Sequence, residues 1–248
     1  MRPFLLLLAA TSAFAADPAG LAIREMTKVA VAEIPALAAE ASLTASSARL
    51  VFRLSDIPFL GEARDEKLDL YFPLGPARAD RPAVVFIHGG GFTGGDKAEH
   101  RSASISADLC RAGYVVVSCN YVLGPKDKPG VWPRNIADCR DAVRWVRAHA
   151  KELGVHPDKI AVAGGSAGGY LALMVGLSDD KTGPGGDPAA QVSAKVSAVI
   201  DFYGVMNFSR HGNGDVPGVS AAGQAAYLPE RQCDRADPPV LILHGTAD

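Results

Sequence analysis

The run Lys159-Ile160-Ala161-Val162-Ala163 passes directly into Gly164-Gly165-Ser166-Ala167-Gly168-Gly169 and then into Tyr170-Leu171-Ala172-Leu173-Met174. A short apolar, partly β-branched run reads as a buried strand, and the stretch behind the glycines reads as a helix. So tight a reversal forces the serine backbone into a sparsely populated conformation and leaves room only for glycine beside it. Ser166 is thereby presented on a sharp strand-to-helix turn, its hydroxyl projecting above the end of a sheet, as an exposed nucleophile would be.

G-x-S-x-G alone is a weak signal, and a second segment strengthens it. Ala83-Val84-Val85-Phe86-Ile87 is another continuous buried-strand run, and it ends in His88-Gly89-Gly90-Gly91-Phe92. Glycines after a strand let backbone N–H groups face a ligand without side chains in the way. Acyl transfer passes through a tetrahedral oxyanion, and each donor aimed at it contributes on the order of 3 kcal/mol. The candidate donors are the N–H groups of Gly90, Gly91 and Ala167.

Other elements follow from periodicity. Leu68, Leu70 and Phe72 alternate with Asp69 and Tyr71, predicting an early antiparallel strand with one buried face. Ser102 to Arg111 reads as a helix closed by Gly113, and Tyr114 to Cys119 as a buried strand. Asn135 to Leu153 reads as one long amphipathic helix, capped by Asn135, favoured by Asp138 near its positive end and terminated by Gly154. Val196 to Phe202 and Val240 to His244 supply two more strands. Strands alternating with helices predict a mostly parallel central sheet with helices on both faces. Residues 205 to 239, rich in Gly, Asp and Pro, are expected to form loops or short helices that shape a pocket at the carboxyl ends of the strands.

The 248 residues, 48% hydrophobic and 21% charged, suffice for one domain with a sizeable core. A formal charge of −2 and the lack of a Lys/Arg run interleaved with aromatics argue against nucleic acid as a partner. Met1-Arg2, the apolar Phe4 to Ala10 and then Ala13-Phe14-Ala15 have the pattern of a signal peptide over residues 1–15. Export to the periplasm or the medium is expected; a buried N-terminal helix is the alternative reading. The apolar stretch is too short for a membrane span. Residues 16–48, alanine-rich and expected to be helical, form an N-terminal extension to a domain over 49–248. Cys110, Cys119, Cys139 and Cys233 allow up to two disulfides or remain free buried thiols, and their spacing fits no zinc site.

The segments His88-Gly89-Gly90-Gly91-Phe92-Thr93-Gly94-Gly95-Asp96-Lys97 and Gly164 to Gly169 together resemble the α/β-hydrolase fold, among esterases that join an H-G-G-G loop to a G-x-S-x-G turn. They look most like bacterial feruloyl-esterase and acetyl-xylan-esterase relatives; the hormone-sensitive-lipase branch carries Asp where this chain has Gly165. The likeness runs from about Leu68 to Asp248. It also implies that Asp248, after Pro238 to Ala247, is the acid of a Ser, Asp, His triad, which would orient the imidazole and stabilise its protonated form. Asp201 is a rival acid that family position disfavours, and ordinary structural hydrogen bonding is expected for it.

In this fold the catalytic histidine follows one more strand, so the sequence reads as C-terminally incomplete. His88, His100, His149 and His156 have structural readings, and His244 is expected to be a satisfied buried histidine. His211, in the pocket-forming segment, is the one alternative base. The resemblance implies a serine carboxylic-ester hydrolase for short acyl or aromatic esters of a small alcohol or carbohydrate, with plant polysaccharide esters among the candidates. It works through a Ser166 acyl-enzyme with no metal or organic cofactor. The rival readings are a serine peptidase of the same fold and a non-catalytic binding member.

Overall fold

A computed structural model describes residues 14–16, 22–26, 31–33, 35–36, 51–74, 78–125, 131–206, 215–216 and 219–246. Among the described residues nine strands form one sheet: β1 Phe14–Ala16, β2 Ala22–Met26, β3 Val51–Ile57, β4 Leu68–Pro73, β5 Arg81–Ile87, β6 Val115–Cys119, β7 Val155–Gly165, β8 Ala198–Phe202 and β9 Val240–Leu243. Their spatial order is β1-β2-β3-β4-β6-β5-β7-β8-β9. From β6 to β9 all neighbours are parallel, while β4 pairs antiparallel with both β3 and β6. The mostly parallel α/β-hydrolase architecture expected from the motifs is what the chain adopts.

The helices are α1 His100–Arg111, α2 Arg134–Ala148, α3 Ala150–Leu153, α4 Ala167–Leu177 and α5 Pro229–Gln232. Alternation along the central strands divides the core in two. Val84, Phe86 and Val116 point to the face covered by Ala107 and Cys110 of α1. Ala83, Val85, Ile87, Val115 and Val117 point to the other, larger cluster, built with α2, α3 and α4. Every residue of α4 except Gly176 is buried, so this helix has no polar face and is held by packing all round.

Several expectations change. The long helix divides at His149, where φ −95° and ψ 10° leave helical geometry before α3 starts. The His149 ring stacks on Trp145 at 4.3 Å and its Nδ1 lies 2.8 Å from the Trp145 carbonyl, so the side chain competes for the backbone at this turn. Asn135 is not the cap: Pro133 occupies that position, and the Asn135 Oδ1 accepts the Ile136 N–H from inside the helix. Asp138 serves tertiary pairing, accepting from Arg64 at 2.7 Å and from the Val122 N–H at 2.9 Å. Gly154 does take the left-handed conformation, with φ +60°.

β4 is buried on both faces rather than one. Asp69 stays at 0% exposure because Arg53 and Lys97 compensate its charge there. In the alanine-rich N-terminal segment, Ala22–Met26 is a strand paired in parallel with β3, where the open edge of the sheet overrides helix propensity. Of the residues read as an export signal, only Phe14 and Ala15 are described, and together with Ala16 they pair antiparallel with β2. All four cysteines are free thiols, with Cys110, Cys119 and Cys139 buried and Cys233 exposed. His156 lies in β7.

Candidate active site

In the parallel pair of β5 and β7, Ile87 stands opposite Gly164. Both strands thus end at one level, and His88 to Phe92 leaves the sheet beside Gly165 and Ser166. Strand order reverses here, since β6 follows β5 on one side and β7 returns on the other. Such a switch point opens a crevice at the carboxyl ends of the strands.

Ser166 has φ +54° and ψ −119°, a conformation that costs a non-glycine residue about 1–3 kcal/mol. Hydrogen bonds hold it from both sides: its N–H donates to the Phe202 carbonyl at 2.9 Å, and its own carbonyl accepts the Tyr170 N–H at 3.1 Å. The side chain is half-buried, and its hydroxyl has no partner among the described residues. The glycines around it are demanded by close approach. A Cβ on Gly168 would overlap the carbonyl oxygens of Ile87 and His88, and one on Gly89 would stand 2.9 Å from the Gly165 oxygen.

The loop after β5 turns through left-handed residues, with φ +119° at Gly90, +62° at Gly91 and +64° at Phe92. It closes on itself through Thr93 and Gly94 N–H bonds to the Gly90 carbonyl at 3.2 and 3.1 Å. The N–H groups of Gly90, Gly91 and Ala167 donate to no acceptor among the described residues. Ala167 opens α4, so its N–H is one of the unpaired donors at the positive end of a helix. Gly89 stands against Gly165 and Ser166, so the loop that carries Gly90 and Gly91 starts beside the turn that carries Ser166 and Ala167.

Other candidates are placed differently. Asp248 and His211 lie outside the described residues. β9 runs parallel to β8, with Leu243 opposite Phe202, so its carboxyl end lies on the Ser166 side of the sheet. His244 is exposed instead of buried, because β9 has no described element over either face: Leu241 is 52% and Leu243 46% exposed. Asp201 is fully buried and accepts the Gly204 N–H at 2.8 Å on Oδ1; Oδ2 has no hydrogen-bond partner among the described residues. Burial pushes its carboxyl above the ordinary range. Its structural reading fits, with one oxygen less satisfied than expected.

Two groups around the site were not legible in advance. Phe92, Trp132 and Tyr170 meet edge to face with centroids 5.1 to 5.7 Å apart, and Tyr227 joins Trp132 at 5.9 Å. The Tyr170 hydroxyl donates to the Tyr227 carbonyl at 2.7 Å, tying the 3₁₀ helix Ala221–Tyr227 to α4. Tyr203, at φ +47°, takes a hydrogen bond from Arg101 at 2.9 Å on its hydroxyl. A Cβ on Gly165 would stand 3.0 Å from that hydroxyl, so a side chain there requires Tyr203 to shift by a few tenths of an ångström. No spacing rule reports such contacts, because each joins elements far apart in the chain.

The BD-FAE family model matches residues 68–248, which carry both glycine motifs and every parallel strand from β5 to β9. The chain belongs to the BD-FAE family. Esterase LipQ of Mycobacterium tuberculosis is 30% identical over 226 residues, 81% of this chain and 50% of that protein. The chain spans about half the length of the curated relatives it matches. Thermogutta terrifontis esterase 2, solved phosphoramylated by tabun, superimposes with a TM-score of 0.63 at 34% identity, covering 76% of this chain and 69% of that one. A truncated carbohydrate esterase from gut microbiota gives 0.64 at 25% identity, covering 79% and 77%.

Proposed function

We propose that this BD-FAE family member is a serine carboxylic-ester hydrolase in which Ser166 is the nucleophile. The observation that carries this reading is the strained, doubly hydrogen-bonded Ser166 set against three unpaired N–H donors. A strain of this kind persists only where the surroundings over-determine it, and it clusters where a side chain must be aimed.

The Ser166 oxygen attacks the ester carbonyl carbon while its proton passes to a histidine outside the described residues, with Asp248 proposed as the acid that orients the imidazole. The carbonyl oxygen becomes an oxyanion facing the N–H groups of Gly90, Gly91 and Ala167. The tetrahedral intermediate expels the alcohol, which takes the proton from the imidazolium. Water, deprotonated by the same base, then attacks the acyl-enzyme and releases the acid.

We assign short acyl or aromatic esters of a small alcohol or carbohydrate as substrates. Supporting this, the Thermogutta esterase has been solved with propionate bound, and the gut relative is a carbohydrate esterase. Export is proposed from the pattern of Met1 to Ala15, and no described helix is long and apolar enough to cross a membrane.

The test is made on the full-length protein. A fluorophosphonate is expected to label Ser166, and Ser166→Ala to lower p-nitrophenyl butyrate hydrolysis by at least about 1,000-fold. Labelling that survives the substitution overturns the assignment of the nucleophile. A preference for palmitoyl over acetyl, butyryl and feruloyl esters overturns the substrate class.

A further inference from the structure

The loop His88 to Gly95 contains four residues with positive φ: Gly90, Gly91, Phe92 and Gly95. Such a segment has no regular hydrogen-bond ladder, so the position of its N–H groups depends on how its two ends are tied. The entrance is tied by β5. The exit, at Asp96 and Lys97, is tied by residues at the carboxyl end of β6, the strand on the side of β5 opposite Ser166.

The Asn120 side chain bridges this exit. Its Oδ1 accepts the Lys97 N–H at 2.6 Å, and its Nδ2 donates to the Asp96 carboxylate at 2.8 Å. The buried Ser118 hydroxyl donates to the Lys97 carbonyl at 2.8 Å. The Lys97 ammonium is itself buried and lies 2.7 Å from Asp56 and 3.1 Å from Asp69, so the loop exit is anchored to β3 and β4 as well. Gly89 meanwhile packs against Gly165 on the far side. The loop is thus wedged between the turn at Ser166 and the end of β6.

We propose that Asn120, acting through Asp96 and Lys97, is a positioning residue that sets the distance from the Gly90 and Gly91 N–H groups to the oxyanion formed at Ser166. This rests on the reading of Ser166 as an acylated nucleophile. The oxyanion develops its charge only in the transition state, so misplaced donors lower kcat rather than weaken ester binding. A displacement of about 1 Å at such donors is worth about 100-fold in rate.

The experiment uses the full-length protein, with active sites counted by fluorophosphonate titration carried to completion. Asn120→Ala is expected to lower kcat per titrated site about 100-fold, with KM changed less than about threefold. Affinity for a trifluoromethyl ketone, which forms an oxyanionic adduct with the serine, is expected to fall by the same factor. Asp96→Ala, at a half-buried position, removes one of the two bonds and is expected to cost about tenfold in both measurements. It serves as the deciding variant should Asn120→Ala fail to fold.

Wild-type kcat per site in the Asn120 and Asp96 variants overturns the proposal. So does a fall in kcat with unchanged ketone affinity, which marks a structural tie only. An unsubstituted protein without esterase activity overturns the reading of Ser166 instead.

Discussion

At the scale of single residues, the site is a set of conformations that few side chains tolerate, held by neighbours that leave little freedom. His88 illustrates the cost. It is 1% exposed, stacks on Tyr121 at 4.5 Å and places Nδ1 2.7 Å from the Gly89 carbonyl. Burial lowers its pKa below the ordinary 6.5, the pull of Gly89, Glu99 and Asp96 falling short of reversing this. Below about pH 6.5 the unfolded chain therefore binds a proton that the folded chain refuses, and stability drops as pH falls until the folded value is passed. Urea midpoints at pH 7 and pH 5 are expected to show this loss, with a smaller difference in His88→Gln; identical differences would remove His88 as the cause.

Among the elements, α4 and β9 mark the extremes of burial. α4 carries the serine turn at its start and is enclosed almost completely, so its placement is as rigid as the core. β9 lies at the end of the sheet order, and its residues Val240 to Leu243 are 37% to 52% exposed. An apolar strand with an unpaired edge among the described residues is a template for association. For the 248-residue chain, Leu241→Lys combined with Leu243→Lys is expected to lower the sedimentation-derived association constant at least about tenfold. Unchanged association would place the contact elsewhere.

Across the whole molecule, the charges buried between the antiparallel and parallel halves of the sheet form one connected group. Asp69 accepts from Arg53 at 2.6 Å, from the Asp56 N–H at 2.9 Å and from Lys97 at 3.1 Å. Replacing it with alanine strands two cations in or near the core, for which a loss of about 3–5 kcal/mol is expected in chemical denaturation. A loss under about 1 kcal/mol would show that water readily replaces the carboxylate. The same cluster reaches the loop exit through Lys97, so the energetics of the sheet and the geometry of the site share residues.

The local patterns of the chain determined the α/β class, the strand-turn-helix around Ser166 and the glycine loop after Ile87, because each is set by steric demands within a dozen consecutive residues. Gly154 as a helix stop was legible for the same reason. Tertiary structure alone decided which residues surround those motifs. The opposition of Ile87 and Gly164 turns two separate turns into one crevice. Asn120 meets Asp96 across 24 residues, and Arg101 meets Tyr203 across 102. The break at His149 and the burial of Asp69 belong here too. Local propensity differs by fractions of a kcal/mol between alternatives, while pairing, packing and charge compensation from distant segments are worth several, and these prevail.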